Sequence, residues 1–314
     1  MVRAMSDASA RVTVFVPTWN AGARLDEVLA AVRSQRTKRR VVLRATDSGS
    51  SDGTLAVLAK HGVAVERIAK REFDHGATRG RAILASDTEF VVLLTQDAKP
   101  FDEHWLDELL APFDDPRVAG AWSRQIARPS CHPFKRASLA AHFGPDDARV
   151  IEPLTLAQWN ELSPAERLAR LGFDDVSSAV RRSAVERVPF PSTPFGEDML
   201  WARAALLGGW RLAFAGRSKV EHSHELTWSE LTRRVEQSYS LRRRVAGDEP
   251  FSAGVARSVY LAARGNLRVA LRGEGLSPLA RLSAAAQALP FAYLQIASAR
   301  RGARAARYEP PTAS

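Results

Sequence analysis

One cysteine in 314 residues, Cys131, excludes an internal disulfide framework and any zinc site built from cysteines. It fits a reducing compartment. Met1–Ala10 has no long apolar stretch, so no secretory signal is expected. The arginines come with neither an RNP-like string nor zinc-finger spacing, so nucleic acid is not expected as a partner. No internal repeat is evident. Long charge-free runs are scarce as well. The longest, Leu282–Ala299, is rich in alanine and carries Ser283, Gln287, Pro290, Gln295 and Ser298. Its length matches a membrane span, but its composition favours a helix that lies along a surface.

The chain is 45% hydrophobic and 25% charged, as a globular protein should be. Its net charge of +10 is unevenly placed: residues 250–314 hold nine arginines against two glutamates. Such a segment seeks an anionic membrane surface or an anionic substrate, or is a solvated face. It is expected to form a basic helical extension over 249–314, a pair of helices lying on the body of the protein or on a membrane surface. The corresponding location is cytoplasmic, or peripheral at the inner face of the plasma membrane.

The first 125 residues alternate strand and helix signals. Strands are expected at Val12–Val16, Val41–Ala45, Val63–Ile68, Phe90–Thr95 and Val118–Arg124. Helices are expected at Ala23–Ser34, Asp52–His61, Ala77–Ala85 and Asp102–Leu110. This alternation implies a parallel, doubly wound sheet. Residues 126–170 are broken by five prolines and read as an insertion over one sheet edge, where an acceptor is gripped. Strand Val176–Arg181, helix Glu197–Leu207, and strands Arg211–Ala215 and Lys219–His222 follow. Thr227 and Glu230 then form a capping box.

Ligands of such sheets lie beyond the carboxyl ends of the strands, and four strings stand there. Pro17-Thr18-Trp19-Asn20 offers an indole face and open backbone. Asp47-Ser48-Gly49-Ser50-Ser51-Asp52-Gly53-Thr54 lets a ligand approach closely and includes a carboxylate suited to a base N–H. Phe73-Asp74-His75-Gly76-Ala77-Thr78-Arg79 opens a helix whose N-terminus favours an anion. Leu94-Thr95-Gln96-Asp97-Ala98 ends a continuous apolar run in an amide and a carboxylate.

This ordered set resembles the inverting glycosyltransferases of family 2, and most of all their bacterial rhamnosyltransferase branch. The likeness spans roughly residues 11–245. It implies a GT-A fold, α/β with a Rossmann-like, mixed and mainly parallel sheet flanked by helices. The GT-A domain would cover 1–248, its donor-binding half about 11–125 and its acceptor half about 126–248. Pro17, Thr18 and Trp19 would then line the nucleotide, with Trp19 stacking on the pyrimidine. Asp47 would bind the base, Arg79 would support base or ribose, Gln96 would contact ribose, and Asp97 would bind metal. Gln96 stands where many relatives carry a first acid, and Ala77 and Gly80 also depart from common residues.

Downstream, Phe195-Gly196-Glu197-Asp198-Met199-Leu200-Trp201 resembles the family's acidic station. There Asp198, with Glu197 as second choice, would take the acceptor proton. In His222-Ser223-His224 only one ring can reach a metal, and His222 is preferred. Ser177 and Ser178 are weaker candidates for acceptor contacts. The cofactor implied is a divalent cation, Mg²⁺ or Mn²⁺. The reaction implied is a single displacement that moves a sugar, L-rhamnose from dTDP-L-rhamnose, onto a cell-surface glycan or lipid-linked precursor. The alternatives are a UDP-hexose-dependent family 2 transferase and a non-catalytic nucleotide-sugar-binding or membrane scaffold protein.

Overall fold

The computed structural model describes residues 10–145, 147–223, 227–250, 254–272 and 276–311. In chain order it contains β1 (Arg11–Thr18), α1 (Arg24–Arg33), β2 (Arg40–Asp47), α2 (Thr54–Lys60), β3 (Ala64–Arg67), α3 (His75–Leu84) and β4 (Phe90–Leu94). Next come β5 (Lys99–Pro100), α4 (Trp105–Leu110), β6 (Val118–Ile126), α5 (Pro133–Phe143), β7 (Ala148–Ile151), α6 (Leu156–Glu161) and α7 (Pro164–Arg170). The chain continues through β8 (Ser177–Arg181), α8 (Arg182–Arg187), α9 (Glu197–Leu207), β9 (Arg211–Glu221), α10 (Trp228–Ala246), α11 (Val255–Arg272) and α12 (Pro278–Arg304). Two compact units result: residues 1–126, 145–155 and 171–222, and residues 127–144, 156–170 and 223–314.

The first unit is built on one sheet of order β3-β2-β1-β4-β8-β6-β9-β5, with β7 also paired to β9. Its β3-β2-β1-β4 half is wholly parallel. β4 is buried along its full length, as a strand covered on both faces should be. In α1, Leu25, Val28, Leu29 and Val32 are buried at helical spacing and join Val12, Val14, Val16 and Val92 in the main core. From β8 onward the sheet is mixed, because β8 runs antiparallel to both β4 and β6.

Three local expectations change. The two strands expected at Arg211–Ala215 and Lys219–His222 are one strand, β9. Its pairing with β6 jumps from Ser123↔Ala215 to Arg124↔Lys219, so the intervening Gly216–Ser218 forms an irregularity in the ladder, not an end to it. The proline-broken stretch 126–170 is not one insertion. It contributes β7 to the sheet of the first unit, while α5, α6 and α7 belong to the second. Ser177 and Ser178 are buried within β8. Their hydroxyls meet Trp105, Ser123 and Asp175, so they are not acceptor contacts.

The second unit is helical. The capping box expected at Thr227 and Glu230 opens α10. Phe134, Leu231, Ala270, Ala284, Ala288 and Phe291 form its core. α12 approaches α10 so closely that a Cβ on Gly302 would lie 2.1 Å from the Glu236 carbonyl oxygen. Gly302→Ala is therefore expected to destabilise this unit by about 1–3 kcal/mol, the usual cost of overpacking. A lowered Tm in calorimetry checks it.

Candidate functional site

Strand direction gathers the site in the first unit. β1, β2 and β4 are parallel, so Trp19, Asp47 and Asp97 emerge from or beside the same end of the sheet. β8 opposes β4, with Leu94 paired to Ser177 and the Thr95 N–H donating to the Val176 carbonyl at 3.0 Å. Asp174 and Asp175, just before β8, thereby lie at that end as well. β6 and β9 run parallel to each other and antiparallel to the β8 direction, so Gln125 and His222 arrive there too.

The nucleotide-side loops hold each other. Gln96 clamps the Trp19 main chain: its Oε1 accepts from the Trp19 N–H at 2.8 Å and its Nε2 donates to the Trp19 carbonyl at 3.1 Å. The amide expected on ribose is thus engaged with protein, and it fixes the indole loop. Asn20 adopts a left-handed φ of 45°, and its side-chain oxygen accepts from the Ser51 N–H. The Trp19 indole is exposed, with Lys70 Nζ 3.5 Å from its ring centroid. Pro17 and Thr18 pair with Thr46 and Asp47 across β1 and β2.

Asp47 is fully buried. Its Oδ1 accepts from the Gly49 and Ser50 N–H groups, and its Oδ2 from the hydroxyls of Thr18 and Ser50. Burial would raise its carboxyl, but these four hydrogen bonds hold it below the ordinary carboxylate range. Asp47 therefore shapes the loop, and a base N–H would have to compete with donors already in place. Asp52 further ties the loop to the turn before α1, accepting from the Gly22 N–H, and to the start of α2, accepting from the Thr54 N–H.

Asp97 Oδ1 lies 3.5 Å from His222 Nε2. Behind the imidazole, Gln125 donates its Nε2 to Asp174 Oδ2, and its Oε1 meets His222 Nδ1 at 2.8 Å. That orientation makes Gln125 an acceptor for an Nδ1–H, so in the neutral ring Nε2 is the lone-pair nitrogen facing Asp97. A carboxylate oxygen and an oriented imidazole nitrogen fit a divalent cation, with Gln125 and Asp174 as the outer support such ligands need. No group of three or more His, Cys, Asp or Glu that could hold a metal occurs among the described residues. The pair therefore suits an ion that also takes oxygens from a bound diphosphate. His224 lies outside the described residues. Gln125→Leu is expected to weaken Mn²⁺ binding about 10–100-fold, read as free Mn²⁺ by electron paramagnetic resonance.

Beside this pair is a cluster of acids. Asp74 caps α3 and also accepts from Ser192 and Thr193, bringing α3 to the segment before α9. A Cβ on Gly76 would lie 1.7 Å from the Pro191 carbonyl oxygen, which explains the glycine in the Phe73–Arg79 string. The approach buries Arg79, placing its Nη1 2.9 Å from Glu197 Oε1 and its Nε 3.5 Å from Asp175 Oδ2. The structure thus brings the Arg79 guanidinium to the acids Glu197 and Asp175; the family likeness implied base or ribose as its partner.

Glu197 is accordingly held in a buried ion pair with Arg79, while Asp198 beside it is partly buried and pairs with no cation among the described residues. Burial lifts the Asp198 carboxyl well above the ordinary carboxylate range, and the charges of Glu197, Asp175 and Asp174 lift it further. Burial likewise pushes Asp175 up to about 7, against the lowering pull of Arg79. A base acts deprotonated, so activity should fall as pH drops through a value above the usual carboxylate range. Asp175→Asn removes one raising charge and is expected to move this acid limb of kcat/KM to lower pH. An unmoved limb in the pH profile would contradict the assignment.

Gln125, Asp174, Asp175 and Lys70 are the site residues that sequence reasoning missed. Gln125 carried no strand-end signal: it is the penultimate residue of β6 and follows the polar Ser123 and Arg124.

Residues 13–186 match the model of the family described as glycosyl transferase family 2. The chain is 31% identical over 219 residues to the O-antigen chain rhamnosyltransferase WbaN of Salmonella anatum, covering 68% of this chain and 67% of that protein. It is 30% identical over 226 residues to the O-antigen chain rhamnosyltransferase RfbN of Salmonella typhimurium, covering 69% and 68%. Among solved structures, the mannosyltransferase PcManGT from Pyrobaculum calidifontis, in complex with GDP-Man and Mn²⁺, superposes with a TM-score of 0.52 at 20% identity, covering 94% of this chain and 75% of that one. Residues 1–349 of S. aureus TarS superpose with a TM-score of 0.50 at 16% identity, covering 94% and 90%. These two structures share the fold.

Proposed function

We propose that this chain, which belongs to glycosyltransferase family 2 and has its GT-A fold, transfers L-rhamnose from dTDP-L-rhamnose with inversion. The acceptor is a cell-surface glycan or a lipid-linked precursor of one. The observation that carries the reaction is a continuous line of contacts. It runs from Asp97 through His222 and Gln125 to Asp174, whose chain neighbour Asp175 meets Arg79, which in turn pairs with Glu197 beside Asp198. A cation-binding pair and a general base thereby share one end of the sheet. The choice of rhamnose is supported by the two O-antigen rhamnosyltransferases at about a third identity.

The residues divide the work as follows. The donor pyrimidine lies on the Trp19 indole, held in place by Gln96 and the loop that Asp47 shapes. Asp97 and His222 hold Mg²⁺ or Mn²⁺, which when bound supplies positive charge to the diphosphate oxygens. Asp198 takes the proton of the acceptor hydroxyl. The hydroxyl oxygen forms a bond to the anomeric carbon on the face opposite the departing diphosphate, whose bond to that carbon breaks with its electron pair. Glu197 is held away from this step by Arg79.

Thermal-shift titration of the intact protein with dTDP, UDP and GDP in the presence of Mn²⁺ tests the donor. Stabilisation led by dTDP supports the reading. Stabilisation led by UDP would favour a UDP-hexose donor on the same site, a reading consistent with a pyrimidine platform.

A further inference from the structure

The C-terminal helices of the second unit carry an apolar stripe that the transfer reaction does not use. On α12, Leu279, Leu282, Leu289 and Tyr293 are exposed by 79%, 69%, 59% and 57%. With exposed Ala286 they recur at intervals of three and four residues, which places all five on one side of a helix. The opposite side is spent on packing, since Ala284, Ala288, Phe291, Ala292, Ile296 and Ala299 are buried. On α11, Tyr260, Leu267 and Leu271 are exposed among Arg257, Arg264 and Arg268. A stripe of large apolar side chains on this scale marks a surface meant to be covered.

Charge identifies the cover. The residues of α11 and α12 include eight arginines and no acid, and of these Arg301 is paired with Glu236 of α10. A second copy of the same face would bring like charges together, whereas an anionic bilayer offers phosphates to the guanidinium groups and acyl chains to the leucines. Arginine suits this boundary because its aliphatic stem lies along apolar surface while its head reaches the phosphates. Among the described residues no helix is long and apolar enough to cross a membrane, so the helices would lie in the interface plane.

We propose that the exposed, arginine-flanked apolar sides of α11 and α12 dock on the surface of an anionic phospholipid bilayer. This inference rests on the second unit alone and stands apart from the choice of donor or base.

Sedimentation of the full-length protein with vesicles tests it. Pelleting is expected with phosphatidylglycerol–phosphatidylethanolamine vesicles and not with phosphatidylcholine alone. Raising salt from about 0.1 M to 1 M, which shortens the screening length from about 10 Å to 3 Å, should release much of the protein. The combined variant Leu279→Ser, Leu282→Ser, Leu289→Ser and Tyr293→Ser is expected to lose about tenfold or more in vesicle partitioning. Its donor-nucleotide affinity and helical circular dichroism should be those of the parent. A second variant with Arg257, Arg264 and Arg268 changed to Gln should lose the preference for anionic vesicles. Equal pelleting of parent and variants would overturn the proposal. So would absence of pelleting by the parent, or a dimer in light scattering that the serine variant dissolves without any vesicle binding.

Discussion

Asp198→Asn is expected to lower kcat by about 10²–10⁴-fold, the range for loss of a general base, while leaving donor affinity intact. The amide keeps the shape of the carboxyl but cannot accept the acceptor proton. Two features single out this residue from its neighbour. Glu197 is buried and paired with Arg79 at 2.9 Å, so its charge is committed. Asp198 lies among acids that raise its proton affinity, which brings it toward the operating pH of a base. Glu197→Gln should behave differently. Removing one partner of a buried ion pair costs about 3–5 kcal/mol, so this variant should lose Tm and activity together. Single-turnover kinetics and calorimetry on the two variants separate these outcomes. Full activity in Asp198→Asn would remove the proposed base.

Asp97→Ala is expected to abolish Mn²⁺-dependent donor binding and to cut turnover by about 10²-fold or more, the scale seen when one stabiliser of developing charge is lost. Asp97 and His222 face each other at 3.5 Å, so each would offer a cation between them a ligand of a different kind. Without the carboxylate, the remaining imidazole is a weak site for a hard cation. The check is calorimetric titration of dTDP with and without Mn²⁺. Parent and variant should bind the nucleotide alike without metal, and only the parent should gain affinity when metal is added. Equal gains in both would place the metal elsewhere.

The contrast between Asp97 and Arg79 shows what the sequence could reveal. Asp97 was legible because its position follows from one local rule: a buried apolar strand ends at Leu94, and the polar residues just beyond it lie at the ligand end of the sheet. Trp19, Asp47 and His222 were placed by the same rule. Arg79 was legible only as a cation near a helix N-terminus, which suggests an anion without saying which. Its partners, Asp175 and Glu197, are about a hundred residues away. They meet it because β8 runs back beside β4 and because Gly76 admits the Pro191 backbone. No spacing in the chain encodes that meeting. Asp47 makes a related point: its residue type suggested a ligand contact, whereas folding turned its oxygens onto the loop's own donors. The β9 irregularity was misread for a local reason, since Gly216 and the polar residues after it have the composition of a strand end.

Mass spectrometry of glycan and lipid-linked acceptors tests the transfer reaction most directly. The intact protein is incubated with Mg²⁺ and, separately, with dTDP-L-rhamnose, UDP-glucose and GDP-mannose. Addition of a deoxyhexose from dTDP-L-rhamnose is expected, with inverted configuration at the new linkage and loss of the product in Asp198→Asn. Addition of a hexose from UDP-glucose or GDP-mannose in its place, or a retained configuration, would contradict that transfer.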